Sequence, residues 1–398
     1  MLVYERTQYN ESEQPPLRLK RKPSMPRPLE ITIADALPPT RTEALTRPLV
    51  RALQHPWVAG IVRSSAVEDS LQALHPLLSL SAVRAQVVKL IDETADTRTL
   101  VLRANSLWRG AQAGQFVSVT VEINGRRHER MYSLTSRPGS RLLAITVKRQ
   151  GLVSAHLHDA VRVGSVLALS QAMGEFTLPA ALPPKLLLLS AGSGITPVLA
   201  MLRELQARRF GGDVVFLHIA RNPAELIFAD ELRAAAAAFP ALRLVLHFSQ
   251  QQGRFDISTL CQQVADLPER ATWVCGPAPL MDTLQAHWRA AGYTVPLHHE
   301  RFAAAPLPAL ALSEPVRIQL VRSQREFASL GADNLLLQAE AAGLAPKHGC
   351  RIGICRSCQC VKRSGTVQNL QTGELCSAPG ELIRLCVSAA RSDLALDL

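Results

Sequence analysis

The chain has 398 residues, a formal net charge of +11 and 47% hydrophobic residues, which at roughly 100–200 residues per domain predicts about two to four domains with their own cores. The sequence contains no run of about 20 apolar residues and no secretory signal, so we predict a cytoplasmic protein without a transmembrane segment. The positive charge is spread along the chain and aromatic residues are only 5%, a distribution that argues against nucleic-acid binding.

The first 81 residues carry no recognisable chemistry. Residues 1–50 hold eight prolines and the basic run Arg18-Leu19-Lys20-Arg21-Lys22, a composition that predicts a disordered arm. Residues 51–81 are predicted to be an N-terminal helical extension, because Ala66–Leu74 have apolar residues at helical spacing.

Residues 82–182 have the pattern of short β-strands. Several segments rich in β-branched residues are separated by Gly, Asn and Pro, which predicts an antiparallel β-barrel. The predicted strands are Val83–Ile91, Thr99–Leu102, Phe116–Val121 and Leu142–Val147.

Residues 183–302 alternate between strand and helix patterns, which predicts an α/β domain with a parallel sheet. The predicted strands are Leu186–Ser190, Val214–Ala220, Leu242–Phe248 and Thr272–Cys275; the predicted helices are Val198–Arg208, Glu225–Phe239, Ser258–Val264 and Pro279–Ala291. A linker rich in Ala and Pro is predicted at 303–315. The last segment, 316–398, is short and rich in cysteine.

Six of the eight cysteines lie between Cys350 and Cys386, which in a chain without an export signal indicates a metal site and not a disulfide framework. The spacing Cys350-x4-Cys355-x2-Cys358, with Cys386 downstream, is the plant-type ferredoxin pattern and supplies four thiolates to one 2Fe–2S cluster. A structural zinc site is the alternative, although zinc modules usually use Cys-x2-Cys pairs.

The glycines and remaining cysteines of this segment have simpler predicted roles. Gly349 and Gly353 allow the backbone to wrap closely around a cluster and to donate N–H groups to its sulfurs. Cys360 and Cys376 lie outside the spacing pattern, so we predict that they pack as small hydrophobic residues. Basic residues surround the predicted cluster loop, and a docking partner should therefore present an acidic face. They are Lys347, Arg351, Arg356, Lys362 and Arg363.

Two glycine-containing motifs follow predicted parallel strands. Gly192-Ser193-Gly194-Ile195-Thr196-Pro197 joins a strand to a helix, a position suited to phosphate binding at a helix N-terminus. The segment is not the Gly-x-Gly-x-x-Gly motif of Rossmann folds, because Pro197 occupies the place of the third glycine. Cys275-Gly276-Pro277 lies at the carboxyl end of a later strand, where parallel sheets bind ligands. Arg221 follows the second strand, where it either meets the 2′-phosphate of NADPH or is a solvated loop charge. Both NADH and NADPH are therefore candidates for the electron donor.

The cysteine pattern and the motif Arg130-Met131-Tyr132-Ser133 together make residues 82–398 resemble the ferredoxin–NADP reductase superfamily. Within that superfamily they resemble the iron–sulfur flavoreductases that have a C-terminal β-grasp 2Fe–2S ferredoxin domain. The resemblance implies that Arg130 pairs with a flavin phosphate, Tyr132 stacks near the isoalloxazine and Ser133 hydrogen-bonds the ring. It implies FAD in preference to FMN. A second flavin segment begins at Val147, itself an implied cofactor-binding residue, and leads into a helix near Ala155–Ala160. In it, Gly151, Val153 and Ser154 would present backbone N–H groups and a hydroxyl to the pyrophosphate.

The resemblance also implies how the nicotinamide is positioned. Gly192, Gly194, Thr196 and Pro197 would form the nicotinamide loop. Cys275, Gly276 and Pro277 would border the ring, with Cys275 as a positioning residue and not a nucleophile. In the segment His299–Phe302, Glu300 and Phe302 would face the flavin. No acid–base dyad is required, because the cofactors carry the redox chemistry.

The expected fold class is therefore multidomain: an antiparallel β-barrel for flavin, an α/β parallel-sheet nicotinamide domain and a β-grasp α+β ferredoxin domain. The implied function is an NAD(P)H-dependent oxidoreductase that feeds a non-haem iron oxygenase or a fatty-acid desaturase. The acceptor would dock through the ferredoxin domain, and a membrane desaturase would bring the chain to a membrane surface. The alternatives are the same relay serving another acceptor, such as a deoxysugar dehydratase, and a non-catalytic interaction protein with a structural zinc site.

Overall fold

The computed structural model describes residues 65–302, 311–349, 351, 353 and 356–398, with only the backbone for residues 65–69. The predicted arm at 1–50, the first part of the extension and most of the predicted linker lie outside the described residues. Helix α1, Ser65–Leu74, confirms the helix predicted at Ala66–Leu74. Among the described residues, no helix is long and apolar enough to cross a membrane.

The first sheet is an antiparallel barrel of six strands in the order β4-β3-β6-β1-β2-β5. Alternate residues of β1 point into the core, as the period of two requires. A bridge between Leu134 and Ile145 joins the two outer strands and closes the sheet. Helix α2, Leu152–Asp159, packs Val153 and Leu157 against the barrel core. The strands are β1 Val83–Thr94, β2 Thr97–Ala104, β3 Phe116–Ile123, β4 Arg126–Ser133, β5 Leu143–Lys148 and β6 Val166–Leu169.

Two features of the barrel differ from the sequence prediction. None of the predicted strands contained the Arg-x-Tyr-Ser motif, but Arg130 and Ser133 lie within β4 itself. Most of β4 is exposed or half-buried, so its charged residues conceal the apolar alternation that identifies a strand. The helix of the second flavin segment begins earlier than predicted, at Leu152 directly after Gly151.

The second sheet is parallel, with strand order β11-β10-β7-β8-β9. This order reverses between β7 and β10, and such a reversal forms the crevice in which open α/β sheets bind ligands. The strands are β7 Lys185–Ala191, β8 Asp213–Ala220, β9 Leu242–Phe248, β10 Ala271–Cys275 and β11 Leu297–Glu300. The helices are α3 Ile195–Ala207, α4 Ala229–Ala238, α5 Ser249–Gln252, α6 Ile257–Gln263 and α7 Ala278–Ala291.

Two helices of this domain begin three or more residues away from their predicted first residue. Helix α3 begins at Ile195 and not at Val198, so Thr196 and Pro197 belong to its first turn. Helix α4 begins only at Ala229 because Asn222 caps a separate 3-10 turn, and Phe228 has a left-handed φ of 60°. A residue in that conformation cannot continue a helix.

The third region is an α+β domain with a five-stranded sheet in the order β13-β12-β19-β14-β17 and a three-stranded sheet in the order β16-β15-β18. The parallel pairing of β12 with β19, next to the antiparallel pairing of β12 with β13, is the β-grasp arrangement that we expected. The strands are β12 Val316–Leu320, β13 Arg325–Ser329, β14 Gln359–Ser364, β15 Val367–Asn369, β16 Leu375–Cys376, β17 Leu382–Arg384, β18 Ser388–Ala390 and β19 Leu394–Leu396; the helix is α8 Leu335–Ala341.

Candidate functional site

The Arg-x-Tyr-Ser motif lines a cavity between the barrel and the parallel sheet. Strand β4 contributes Arg130, Tyr132 and Ser133, and the α/β domain contributes Thr196 and Glu300 across the cavity. A cationic fork, an aromatic ring and a hydroxyl on one strand are suited to a flavin with its phosphate. The remaining lining residues are Phe116, Met131, Thr146, Lys148, Gln150, Ser193, Arg301 and Phe302.

Tyr132 stays protonated in this setting. Burial raises the pKa of its phenol to about 12, although nearby Arg130 lowers the pKa. A neutral phenol donates a hydrogen bond and presents an uncharged ring face to an aromatic ligand. This environment fits the predicted role of Tyr132 beside the flavin ring.

The second predicted flavin segment is organised around Ser154. The Ser154 hydroxyl accepts hydrogen bonds from the backbone N–H groups of Gln150 and Gly151, both at 2.9 Å. It also donates to the Gly151 carbonyl oxygen at 3.0 Å. The hydroxyl and the Gly151 N–H, which we expected to meet a pyrophosphate, therefore contact each other in this structure. The side chains of Val147 and Val153 are buried in the barrel core, so these residues could contact a ligand only through their backbones.

The predicted nicotinamide loop lies at the switch point of the sheet. Gly192–Gly194 form one 3-10 turn after β7, and the Thr196 hydroxyl donates to the Ser193 carbonyl oxygen at 3.0 Å. Gly192 and Gly194 line a second cavity. Pro197 is buried in the first turn of α3, where a proline costs no intrahelical hydrogen bond.

Gly194 packs directly against the Cys275-Gly276 backbone at the end of β10. A Cβ at Gly194 would lie 2.2 Å from the Cys275 carbonyl oxygen, far inside contact distance. Gly276 and Pro277 line the same cavity as Gly192. The two motifs that were far apart in sequence therefore meet at one crevice.

Cys275 is fully buried and does not have the environment of a nucleophile. Burial and the neighbouring Glu300 both raise the pKa of its thiol well above the ordinary range. Cys275 is paired in register with Glu300 on β11 and with Ser190 on β7. A protonated thiol in this row supports a positioning role.

Glu300 is the strongly perturbed carboxyl group of the site. It is only 8% exposed, and burial raises its pKa from 4.5 to about 8. Its Oε2 atom has no hydrogen-bond partner among the described residues, although Glu300 lines the flavin-side cavity with Phe302. A buried carboxyl oxygen without a partner needs a bound group or water to satisfy it.

Arg221 lies at the edge of the second cavity. Its side chain is 64% exposed, and its Nε donates to Glu225 Oε2 at 2.9 Å. The guanidinium is thus accessible at the mouth of the crevice and is partly neutralised by its neighbour.

The two cavities share a wall that the sequence analysis did not identify. Five residues line both: Lys148, Gln150, Ser193, Arg301 and Phe302. Lys148 ends β5 and forms ion pairs with Asp96 at 3.1 Å and Glu225 at 3.5 Å. The available sequence signal for this wall was a lysine directly after the predicted strand Leu142–Val147, three residues before Gly151.

Two of the four predicted cluster ligands lie among the described residues, and they are close together. The Sγ atoms of Cys358 and Cys386 are 3.2 Å apart, and both residues are buried. The Gly353 N–H donates to Cys386 Sγ at 3.2 Å, as expected of a cluster loop. A Cβ at Gly353, which has a φ of 79°, would lie 2.9 Å from Val387. Cys350 and Cys355 lie outside the described residues.

Other residues near the cluster segment have mixed outcomes. Cys360 is buried in the domain core, and burial raises its thiol pKa to about 12, in keeping with a packing role. Cys376 is half-buried and packs against the same core, as predicted. Lys362 was expected to present its charge near the cluster loop. That expectation was wrong, because Lys362 is fully buried and its ammonium donates to the carbonyl oxygens of Gly365 and Ala378.

The ferredoxin domain contacts the barrel next to the cluster segment. The Ser357 hydroxyl donates to Glu129 Oε2 on β4 at 3.3 Å. Neither residue has a sequence signal for this contact, because a single Ser and a single Glu match no motif. The contact brings a residue adjacent to a predicted ligand, Cys358, against the strand that lines the flavin-side cavity.

Three family models match the chain in the order of its three domains. The oxidoreductase FAD-binding domain matches residues 84–178, the oxidoreductase NAD-binding domain matches 188–286, and the 2Fe–2S iron–sulfur cluster binding domain matches 318–391. An NADPH oxidoreductase of Mycobacterium tuberculosis is 37% identical over 379 residues, covering 93% of this chain and 98% of that protein.

Two further relatives each match more than two thirds of the chain. The ferredoxin reductase component of a 3-ketosteroid-9-alpha-monooxygenase from Mycobacterium tuberculosis is 32% identical over 71% of this chain and 85% of its own length. The solved structure of phthalate dioxygenase reductase, described as transferring electrons from pyridine nucleotides to [2Fe–2S], superimposes with a TM-score of 0.55 at 26% identity. It covers 80% of this chain and 98% of that one.

Fold, site and relatives together define an NAD(P)H-dependent flavoprotein reductase with its own iron–sulfur domain. The chain belongs to the ferredoxin–NADP reductase superfamily, among the iron–sulfur flavoreductases with a C-terminal 2Fe–2S ferredoxin domain. Its cofactors are FAD, NAD(P)H and one 2Fe–2S cluster.

Proposed function

We propose that this chain takes electrons from NAD(P)H and delivers them singly to the iron-containing component of an oxygenase or a fatty-acid desaturase. The observation that carries the proposal is the shared wall between the two cavities. Because Lys148, Gln150 and Ser193 line both, a nicotinamide bound at the Gly192 turn is next to a flavin bound at β4. Bound flavin supplies the exchange between a two-electron donor and one-electron acceptors.

The residues of the chain position the reactants. Arg130 offers a guanidinium for the flavin phosphate, and Thr196 and Glu300 face the same cavity from the α/β domain. Gly194 lets the nicotinamide loop pack against the end of β10, because a Cβ there would lie 2.2 Å from the Cys275 carbonyl oxygen, and Gly276 lines the same crevice. Four thiolates, from Cys350, Cys355, Cys358 and Cys386, are proposed to hold the cluster.

An oxygenase acceptor is supported by relatives that are reductase components of monooxygenases, including the reductase subunit of a glycine betaine monooxygenase from Chromohalobacter salexigens. A desaturase acceptor is the other form of the proposal, implied by the family resemblance of residues 82–398. We propose docking through the ferredoxin domain, where Lys347 and Arg356 are exposed. Affinity capture with the full chain, followed by identification of an iron-containing oxygenase or desaturase, distinguishes the two.

The proposed relay predicts that Cys358→Ser separates two activities. Ferricyanide takes electrons directly from reduced flavin, so the variant should reduce it at the wild-type rate. Cytochrome c reduction through the cluster should fall by at least about tenfold, equivalent to about 1.4 kcal/mol of barrier. Both rates are measured with NADPH and with NADH as donor.

Cys360→Ser is the matched control, because it changes a buried thiol two residues away that lies outside the ligand pattern. It should retain both activities and the cluster absorption. Cytochrome c reduction by Cys358→Ser at the wild-type rate would refute the relay. A colourless wild-type protein containing zinc would favour the interaction-protein alternative.

A further inference from the structure

A single carboxylate links the flavin-binding strand to the cluster segment. Glu129 lies on β4, and its Oε2 accepts the hydrogen bond from Ser357 in the ferredoxin domain at 3.3 Å. Ser357 directly precedes Cys358, whose Sγ is 3.2 Å from that of Cys386. The contact therefore joins the barrel to the ferredoxin domain at a residue adjacent to a proposed ligand.

Glu129 is fixed on the barrel side by its second oxygen. Oε1 accepts a hydrogen bond from the hydroxyl of Ser118, a residue of β3 that is only 2% exposed. The Ser118 N–H in turn donates to Ser170 Oγ at 2.9 Å. With one oxygen held inside the barrel, the carboxylate has little rotational freedom, and its other oxygen remains directed toward the ferredoxin domain.

The same stretch of β4 reaches the flavin-side cavity. Arg130 lines that cavity, and its guanidinium donates to the Glu129 carbonyl oxygen at 2.8 Å. From cavity to cluster, the sequence of contacts is Arg130, Glu129, Ser357 and Cys358. The contact between the two domains therefore lies between the flavin-side cavity and the proposed cluster ligand Cys358.

We propose that Glu129 is a positioning residue for electron transfer from the flavin site to the cluster. It holds the ferredoxin domain with Ser357 against β4. This inference depends on the proposed function for its effect on rate, but the contact itself does not. The overall reaction is balanced: one NAD(P)H gives NAD(P)⁺, one proton and two electrons, and two one-electron acceptors such as cytochrome c are each reduced once.

The test uses the full holoprotein with Glu129→Ala, Ser357→Ala and the double variant. Glu122→Ala is the matched control, since Glu122 is an exposed carboxylate on neighbouring β3. Ser357→Ala breaks the contact without removing the acceptor of Ser118, so it remains informative if Glu129→Ala folds poorly. Cluster content is checked by absorption, because Ser357 adjoins Cys358.

The first readout does not depend on turnover. Hydrogen–deuterium exchange should increase in both variants for peptides covering 126–133 and 356–364, and should remain at the wild-type level in Glu122→Ala. The second readout is cluster reduction after mixing with NADPH. It should slow by about tenfold, or about 1.4 kcal/mol, while ferricyanide reduction is unchanged. The double variant should be no worse than either single variant.

The outcomes separate the two proposals. Unchanged exchange and unchanged cluster reduction in both single variants would overturn the role of Glu129. An equal loss of ferricyanide reduction would also overturn it, because the defect would then lie in the flavin site. If the wild-type chain itself does not reduce its cluster, the proposed function fails, and the exchange experiment still decides whether the contact exists.

Discussion

Replacing Gly194 by alanine tests the close packing between the nicotinamide loop and β10. Gly194 has a helical φ of −62°, so backbone conformation does not require glycine there. The lack of space does require glycine, because the added Cβ would lie 2.2 Å from the Cys275 carbonyl oxygen and 2.5 Å from its carbonyl carbon. These are backbone atoms of a central strand, which cannot rotate away. We expect a loss of about 1–3 kcal/mol in unfolding free energy, as for other overpacked interiors.

The same displacement should widen the crevice in which Gly194 and Gly276 meet. The KM for NAD(P)H should therefore rise in Gly194→Ala, while FAD content changes little because Gly194 is not among the residues lining the flavin-side cavity. Gly211→Ala is the control, since its added Cβ would meet nothing within 4 Å. Chemical denaturation and steady-state kinetics measure both effects. If Gly194→Ala matched Gly211→Ala in stability and KM, the packing argument would be refuted.

Three further predictions concern charge. Glu300→Gln should become increasingly more stable than wild type as the pH rises from 4.5 to 8, because the folded state holds the Glu300 proton up to about pH 8 and the unfolded state only to 4.5. The difference in unfolding free energy should grow by about 1.4 kcal/mol per pH unit, and a difference that does not change with pH would contradict the burial effect. Arg221→Ala should raise the KM for NADPH by about tenfold and leave the KM for NADH unchanged. Equal changes in the two KM values would show that Arg221 is a solvated charge. Charge reversal at Lys347 and Arg356 should slow the reduction of a protein acceptor, most strongly at low salt, and the control Arg289→Glu should not slow it. Equal reduction rates for the charge-reversal and control variants would exclude this docking face.

The sequence predicted the elements whose pattern reflects burial. Strands β7, β8 and β10 of the parallel sheet are buried along nearly their whole length, as expected of strands covered by helices on either side. Strand β4 was missed because its first half, from Arg126 to Glu129, is polar and largely solvated. Its pairing with β3 across all eight residues comes from tertiary structure, which local periodicity does not encode.

The candidate site was predictable wherever chemistry depends on spacing within one segment. Thiolate spacing and a glycine turn after a strand are local patterns, so Cys358 and Gly192 could be named as candidates from the sequence. Lys362 shows the limit of such reasoning, because sequence gives its charge but not its direction. Its ammonium lies inside the ferredoxin domain on two carbonyl oxygens, where it stabilises the fold and is not available to an acceptor.

Strand β4 contributes to both proposed transfer steps, at two different positions along its length. Near its end, Ser133 faces the cavity shared with Thr196 and Glu300, and four residues earlier Glu129 meets Ser357. A change that shifts the whole strand would impair both steps, whereas a change at Glu129 alone should impair only the second. Comparing hydride uptake with cluster reduction therefore reveals which part of β4 a substitution has disturbed, because the two steps depend on different residues of the same strand.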